Sequence, residues 1–306
     1  MTILVTGGAG FIGSHVAEAL LGRGHDVHIL DDLSGGKREN VPSGATFHEM
    51  DIRSADVQDL WNTHRFSVMY HLAAQMDVRK SVADPRFDAD VNIGGFLNLM
   101  EAGRQNGLKK VVFSSTGGAI YGEPDHVPQD ESHALQPLSP YGITKLCTEK
   151  YLYFYQQTYG VDFVALRYGN VYGPRQNPHG EAGVVAIFAE RMLDGVQPII
   201  NGDGGQTRDY VHVFDVVRAN LAALEHAGSG IFNIGTAVET DVNALFRIIR
   251  DTVAPDMEEQ HGPAKPGEQL RSVLSWALAH QELGWRPEIS VEAGMKATAE
   301  WFRDRR

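Results

Sequence analysis

Short apolar runs alternate with stretches of helical periodicity through the first two thirds of the chain. Ile3-Leu4-Val5, Asp26 to Leu30, Ser67 to Leu72, Val111 to Ser114 and Phe163 to Arg167 are apolar and β-branched, and they predict strands; 14–22, 92–106 and 141–159 carry apolar positions at helical spacing and predict helices. A strand that reads as a continuous apolar run is buried on both faces, as in a parallel sheet with helices on either side. Beyond Asn170 the pattern loosens. Gly and Pro cluster at 173–183 and 195–205, a helix-like stretch runs from 213 to 226, and a mixed segment occupies 231–306. The pattern predicts an α/β fold: a Rossmann-type doubly wound parallel sheet with a smaller mixed α/β C-terminal domain. The expected division gives 1–168 plus about 211–235 to the first domain, and about 169–210 plus 236–306 to the second.

Composition narrows the partners. With 306 residues and 42% apolar content the chain can bury one large core or two modest ones. Its 27 basic and 39 acidic residues give a net charge of −12, which leaves no broad positive surface for a phosphate backbone, so nucleic acid is not an expected partner. The single cysteine, Cys147, cannot form an intramolecular disulfide and reads as a small packed side chain. Thirteen histidines are scattered without metal-ligand spacing, and no metal is expected. Met1 to Val5 runs into glycines without a basic start or a long apolar core, so no membrane span and a cytoplasmic location are expected.

Two motifs carry chemistry. The first is Thr6-Gly7-Gly8-Ala9-Gly10-Phe11-Ile12-Gly13, between a predicted strand and a predicted helix; it reads either as Gly7-x-x-Gly10-x-x-Gly13 or as Gly8-x-Gly10-x-x-Gly13. A diphosphate approaches backbone N–H groups at a helix start only where no Cβ intervenes. The second predicted strand ends in Leu30-Asp31-Asp32, where a carboxylate can bind the adenosine ribose hydroxyls and would repel a 2′-phosphate, which favours NAD over NADP. Asp51-Ile52 closes another expected strand near the adenine.

The second motif is Tyr141-Gly142-Ile143-Thr144-Lys145. A tyrosine titrates near pH ~10 in water and is a poor base at neutrality until a cation lowers its pKa. A lysine four residues on shares its helical face and is expected to do so, together with a bound nicotinamide. A hydroxyl relay is expected at the end of Lys110-Val111-Val112-Phe113, where Ser114-Ser115-Thr116 offers three candidates; the count from the strand favours Thr116, with a bound water as the other relay.

These residues together resemble the extended short-chain dehydrogenase/reductase superfamily, in strings that span nearly the whole chain. They include the glycine motif through His15, His71-Leu72-Ala73-Ala74-Gln75, Val91-Asn92, Tyr121-Gly122-Glu123-Pro124, Ser139-Pro140-Tyr141, Leu166 to Arg175 and Arg208-Asp209-Tyr210-Val211-His212-Val213. Within it the chain is most similar to UDP-glucose 4-epimerases, through Ser115-Thr116-Gly117-Gly118-Ala119-Ile120-Tyr121-Gly122. The resemblance implies that Phe11, Ile12, Asp31, Asp51, Ile52, Leu72, Ala73, Ala74, Gln75, Asn92, Tyr141, Lys145 and Tyr168 contact NAD. It implies that Thr116, Tyr141, Asn170, Val184, Asn201, Arg208 and Glu268 meet a nucleotide-sugar, with Arg208 neutralising its diphosphate.

Two departures from the family pattern bear on the site. Counting back from Tyr121 places the relay at Gly117 instead of Thr116. The segment Lys265 to Ser275 has lysine and serine at its ends where arginine and aspartate are common, which makes Arg271 a candidate replacement at the uridine end. Ser272 falls where residue size gates the sugar pocket, so a UDP-N-acetylhexosamine is an expected additional substrate. The activity implied is inversion at C4 of a UDP-hexose through a 4-keto intermediate, with UDP-glucuronate 4-epimerase, a nucleotide-sugar dehydratase or decarboxylase, and a non-catalytic NAD-binding regulator as alternatives. For a uronate, Arg79, Arg175 and Arg191 are the cations to consider. Helices 92–104 and 141–159, with Leu152, Phe154, Tyr155 and Tyr159, resemble a four-helix dimer interface, and a homodimer is expected.

Overall fold

The structure is a computed structural model that describes residues 1–178, 183–264 and 269–306. Among these the strands are β1 (Thr2–Thr6), β2 (Asp26–Asp31), β3 (Thr46–Glu49), β4 (Val68–His71), β5 (Lys110–Thr116), β6 (Asp162–Tyr168), β7 (Asn170–Tyr172), β8 (Ile200–Asn201), β9 (Thr207–His212), β10 (Gly230–Ile234), β11 (Glu239–Asp241) and β12 (His261–Gly262). Seven of them form one parallel sheet in the order β10-β6-β5-β4-β1-β2-β3. The predicted doubly wound architecture is therefore present. The chain winds outward from β1 through β2 to β3, then returns to lay β4 on the other side of β1. The crevice between the carboxyl ends of β1 and β4 is the topological switch point where such sheets bind ligands.

Burial explains the apolar runs. Ile3, Leu4 and Val5 are fully buried, with Ile3 and Val5 in the core on one face of the sheet and Leu4 in the core on the other. The first face is covered by the helices Phe11–Gly22 and Val213–Glu225, and the second by Val57–His64, Phe96–Gln105 and Pro140–Tyr159. A third core joins the helices Val184–Leu193, Val242–Val253 and Val291–Arg303, beside small sheets ordered β11-β9-β7 and β12-β8. Because β10 pairs in register with β6, the chain returns to the large sheet after building part of this C-terminal region.

Several elements differ from the sequence pattern. The expected helix 92–106 begins as a π-helical segment, Asp90–Gly95, and becomes α-helical only over Phe96–Gln105. A Cβ on Gly95 would lie 2.5 Å from Ile52, so the end of the π-helical segment packs closely on that side chain. The strand expected to close at Asp51-Ile52 ends at Glu49, and β7, β9 and β11 lie in stretches whose apolar pattern is too short to mark them. Of the four residues named for a helix interface, Leu152 and Tyr155 pack into the protein's own core, and Phe154 and Tyr159 are exposed.

Candidate active site

The glycine loop forms as the spacing requires. Gly7 has φ +71, a conformation costly for a side chain, and a Cβ there would lie 2.6 Å from the Ala73 nitrogen; a Cβ on Gly13 would lie 2.1 Å from the Gly7 carbonyl oxygen. The helix Phe11–Gly22 starts at Gly10 with no side chain capping it, so its N-terminal dipole and amides serve an anion. Leu72, Ala73 and Ala74 follow β4 directly; Leu72 N donates to Thr6 O at 3.1 Å and Ala73 N to Thr6 Oγ1 at 3.3 Å, which fixes this segment as the facing wall.

At the end of β2, Asp31 is buried, and its two oxygens accept from Ala9 N and Leu33 N at 2.9 Å each. Burial raises its pKa, and those two amides partly oppose the rise. Asp32 is exposed and caps its own turn by accepting from Ser34 N at 2.9 Å, so Asp31 is the carboxylate fixed beside the glycine loop. Asp51 is paired with Arg53 at 2.5 Å, and Arg53 also reaches Asp90 at 2.7 Å, an arginine that the sequence motifs did not single out. Ile52 is buried against Gly95. A diphosphate cradle closed to side chains, with a fixed carboxylate at the end of the second strand, fits NAD.

The helix Pro140–Tyr159 positions the second motif. Ser139 caps it by accepting from Gly142 N at 3.2 Å, Pro140 supplies a preset φ at its start, and Tyr141 follows in the first turn. Lys145 is buried; its Nζ donates to Ser114 O at 2.8 Å and lies 4.8 Å from the Phe113 ring centre and 5.8 Å from that of Tyr141. Burial lowers the lysine to about 8, against Asp88 and Glu149, which raise it. Burial and then the charge of Asp88 raise Tyr141. In the protein alone, burial and Asp88 therefore push the phenol in the direction opposite to the one expected from Lys145. A bound nicotinamide's positive charge is the remaining influence that would lower it.

Gln75 and Asn92, expected at NAD, have their side chains turned to a carboxylate the motifs did not reveal. Asp88 is fully buried and accepts from Gln75 Nε2 at 2.9 Å, Asn92 Nδ2 at 3.1 Å and Thr144 Oγ1 at 2.9 Å. Asn92 Oδ1 further accepts from Gln75 N at 2.9 Å. Tyr168, also expected at NAD, directs its hydroxyl inward, accepting from Asn220 Nδ2 at 2.8 Å and Ser114 Oγ at 3.3 Å. Below β5 lies a buried ion pair, Arg167 with Glu149 at 2.6 Å, and Ser115 Oγ donates to Glu149 at 2.6 Å.

Thr116 ends β5 and caps the short helix Gly117–Ile120, its Oγ1 accepting from Ala119 N at 3.2 Å. A Cβ on Gly142 would lie 2.4 Å from the Ala119 oxygen, so the helix bearing Tyr141 seats directly on the turn after Thr116. Gly117 is buried, and a Cβ there would lie 2.4 Å from Leu274, which makes it a packing position. A Cβ on Gly118 would stand 3.7 Å from Asn170 Oδ1 and 4.0 Å from both Ser272 Oγ and Thr116 Oγ1, so three predicted substrate residues converge on one point.

The segment holding Ser272 is fixed by Asp209, which is buried and accepts from Thr236 N at 2.7 Å and Leu274 N at 3.1 Å. Arg208 precedes it on β9, with Nη1 donating to Thr207 O at 2.8 Å, while Asn201 ends β8 and Val184 starts its helix against the third core. Arg271 does not stand free for a ligand: Glu239 accepts from it at 2.7 and 2.8 Å. Glu268 lies outside the described residues.

A Rossmann-type crevice beside a Tyr-x-x-x-Lys helix defines the class of nicotinamide-dependent enzymes. The profile of the NAD dependent epimerase/dehydratase family matches residues 3–235, and the chain belongs to that family. It is 46% identical to UDP-glucose 4-epimerase of Mycolicibacterium smegmatis over 100% of this chain and 99% of that one. Among solved structures it resembles Thermotoga maritima UDP-glucose 4-epimerase with UDP-glucose (TM-score 0.97, 49% identity, 100% and 99% of the two chains). It also resembles the Thermus thermophilus UDP-glucose 4-epimerase complex with NAD (TM-score 0.93, 46% identity, 99% of each chain).

Proposed function

We propose that this protein interconverts UDP-glucose and UDP-galactose by inverting C4 of the hexose, with NAD as resident cofactor. The observation that carries the reading is the convergence of Thr116, Asn170 and Ser272 on the space at Gly118, beside the turn on which the Tyr141 helix is seated. Residues 1–168 with 211–235 hold the cofactor in this reading, and 169–210 with 236–306 hold the nucleotide-sugar.

NAD, when bound, supplies a reversible hydride acceptor at the sugar C4. Tyr141 takes the C4 hydroxyl proton, directly or through Thr116, and later returns one to the 4-keto sugar. Thr116 is suited to relay: its oxygen already accepts from Ala119 N, which orients the O–H. Lys145, which burial lowers to about 8, holds the cofactor ribose beside Tyr141. Arg208 neutralises the diphosphate, with Asn170, Asn201, Val184 and Glu268 on the nucleotide. Anchoring at that end lets the hexose turn and present its other face. Small Ser272 leaves room for an N-acetyl group.

Elimination of water needs an acid next to the relay, but the stretch is Thr116-Gly117-Gly118-Ala119, and the nearby carboxylates of Glu149 and Asp88 are engaged in buried networks. For a uronate, Arg175 is turned away, paired with Glu18 at 2.9 Å on the helix Phe11–Gly22. We also propose a cytoplasmic homodimer, for which Phe154 and Tyr159 are exposed on the helix expected at the interface. No helix among the described residues is long and apolar enough to cross a membrane.

Proton NMR of UDP-galactose with the purified protein and NAD tests the activity. The expected result is growth of the UDP-glucose anomeric signal to a stable mixture without accumulating NADH. An unchanged spectrum from folded, NAD-loaded protein that instead turns over UDP-glucuronate would replace the reading.

A further inference from the structure

At the far edge of the large sheet three imidazoles meet, none of them a residue of the site described above. His28 lies on β2, His48 on the edge strand β3 and His64 at the end of the helix Val57–His64. The parallel register pairs His28 with Thr46 and Leu30 with His48, which puts both strand histidines on the same face, the one that the helix covers. One ligand atom from each lies within 4.8 Å of the other two, and His28 Nδ1 is 2.9 Å from His48 Nε2. Buried Phe66 contacts His28 edge-on at 5.1 Å and stacks on His64 at 5.7 Å, fixing both rings.

We propose that His28, His48 and His64 form a structural site for one divalent transition-metal ion of the zinc class. Zn–N bonds of about 2.0–2.1 Å in tetrahedral array require nitrogens about 3.4 Å apart, a separation that small ring rotations supply from this arrangement. The all-imidazole donor set suits zinc, cobalt, nickel or copper and not magnesium or calcium. Asp26 Oδ1 lies 3.6 Å from His28 Nε2, the ring nitrogen turned away from His48, in the place of the carboxylate that orients a ligating imidazole. His48 and His64 are only half-buried, which gives an ion a path in. The ion would clamp the edge strand and the helix end to β2. The proposal is independent of the epimerase reading.

The test uses untagged, chelator-stripped full-length protein titrated with Co2+ and then Zn2+, followed by visible ligand-field absorption and calorimetry. One saturable equivalent per chain is expected, with tetrahedral cobalt bands bleached by zinc and a Tm raised by several degrees. His48→Ala and, on the half-exposed helix end, His64→Gln should each weaken binding at least 10-fold and abolish the Tm rise, while epimerisation stays unchanged. Absence of saturable binding, or equal binding by folded His64→Gln, overturns the site.

Discussion

Thr144 donates to Asp88 at 2.9 Å from within the same helical turn that carries Tyr141 and Lys145, so a fully buried carboxylate is tied directly to the proposed acid/base pair. Asp88 raises both the tyrosine and the lysine. It also fastens Gln75 and Asn92 against the same helix. It is a positioning residue with an electrostatic reach.

Replacing Asp88 by Asn removes a negative charge that raises Tyr141, so the phenol should ionise at lower pH and the acidic limb of the kcat profile should move down. The lost acceptor should also cost about 1–3 kcal/mol of stability, read by urea unfolding. A stability loss with an unmoved pH profile would assign Asp88 a structural role alone.

Tyr141→Phe keeps the ring and removes the hydroxyl. The expected outcome is a fall in kcat of about 10²–10⁴-fold with NAD and UDP-sugar affinities nearly unchanged. Loss of binding in place of turnover would move the acid/base elsewhere.

Gly13→Ala should cripple cofactor binding, since its Cβ would lie 2.1 Å from the Gly7 oxygen and backbone must shift to admit it. We expect at least a 10-fold weaker NAD Kd and a loss of about 1–3 kcal/mol of stability, measured by fluorescence titration and thermal unfolding.

Glu149→Gln leaves the Arg167 guanidinium buried without its counter-charge, and the expected loss is about 3–5 kcal/mol, seen as a lower urea midpoint.

Acid should destabilise the fold before carboxylates titrate. Burial lowers His71 to about 3 and His212 to about 4, from 6.5 when unfolded. Above pH 6.5 both states are neutral and neither residue matters. As pH falls below 6.5 the unfolded chain takes up protons that the folded chain refuses, so each site removes up to about 1.36 kcal/mol per pH unit until its folded pKa is reached. The Tm of wild type should fall between about pH 6 and 4 more steeply than that of His71→Gln.

Ser272→Tyr tests the size of the sugar pocket. Ser272 Oγ lies 4.0 Å from the Cβ position of Gly118, so a phenol there would fill space beside Thr116 and Asn170 that a serine leaves open. The ratio of kcat/KM for UDP-N-acetylgalactosamine over UDP-galactose should fall at least 10-fold.

Much of this was legible in the sequence because it depends on local rules. Apolar runs such as Ile3-Leu4-Val5 mark doubly buried strands, Gly7, Gly10 and Gly13 mark a turn that excludes Cβ atoms, and the Tyr141–Lys145 spacing is one helical turn. Where pairing across the fold decides, the sequence was silent. Asp88, Asp209 and Glu149 look like ordinary acidic residues until their partners from distant segments enclose them, and Arg271 looks available until Glu239 is beside it. The sign of the Tyr141 shift depends on desolvation, which belongs to the packed site and not to the motif. The three histidines are scattered along the chain and meet only through strand register and a helix end. Periodicity and glycine sterics are properties of neighbouring residues, whereas burial, charge pairing and ligand convergence exist only once remote segments share a surface.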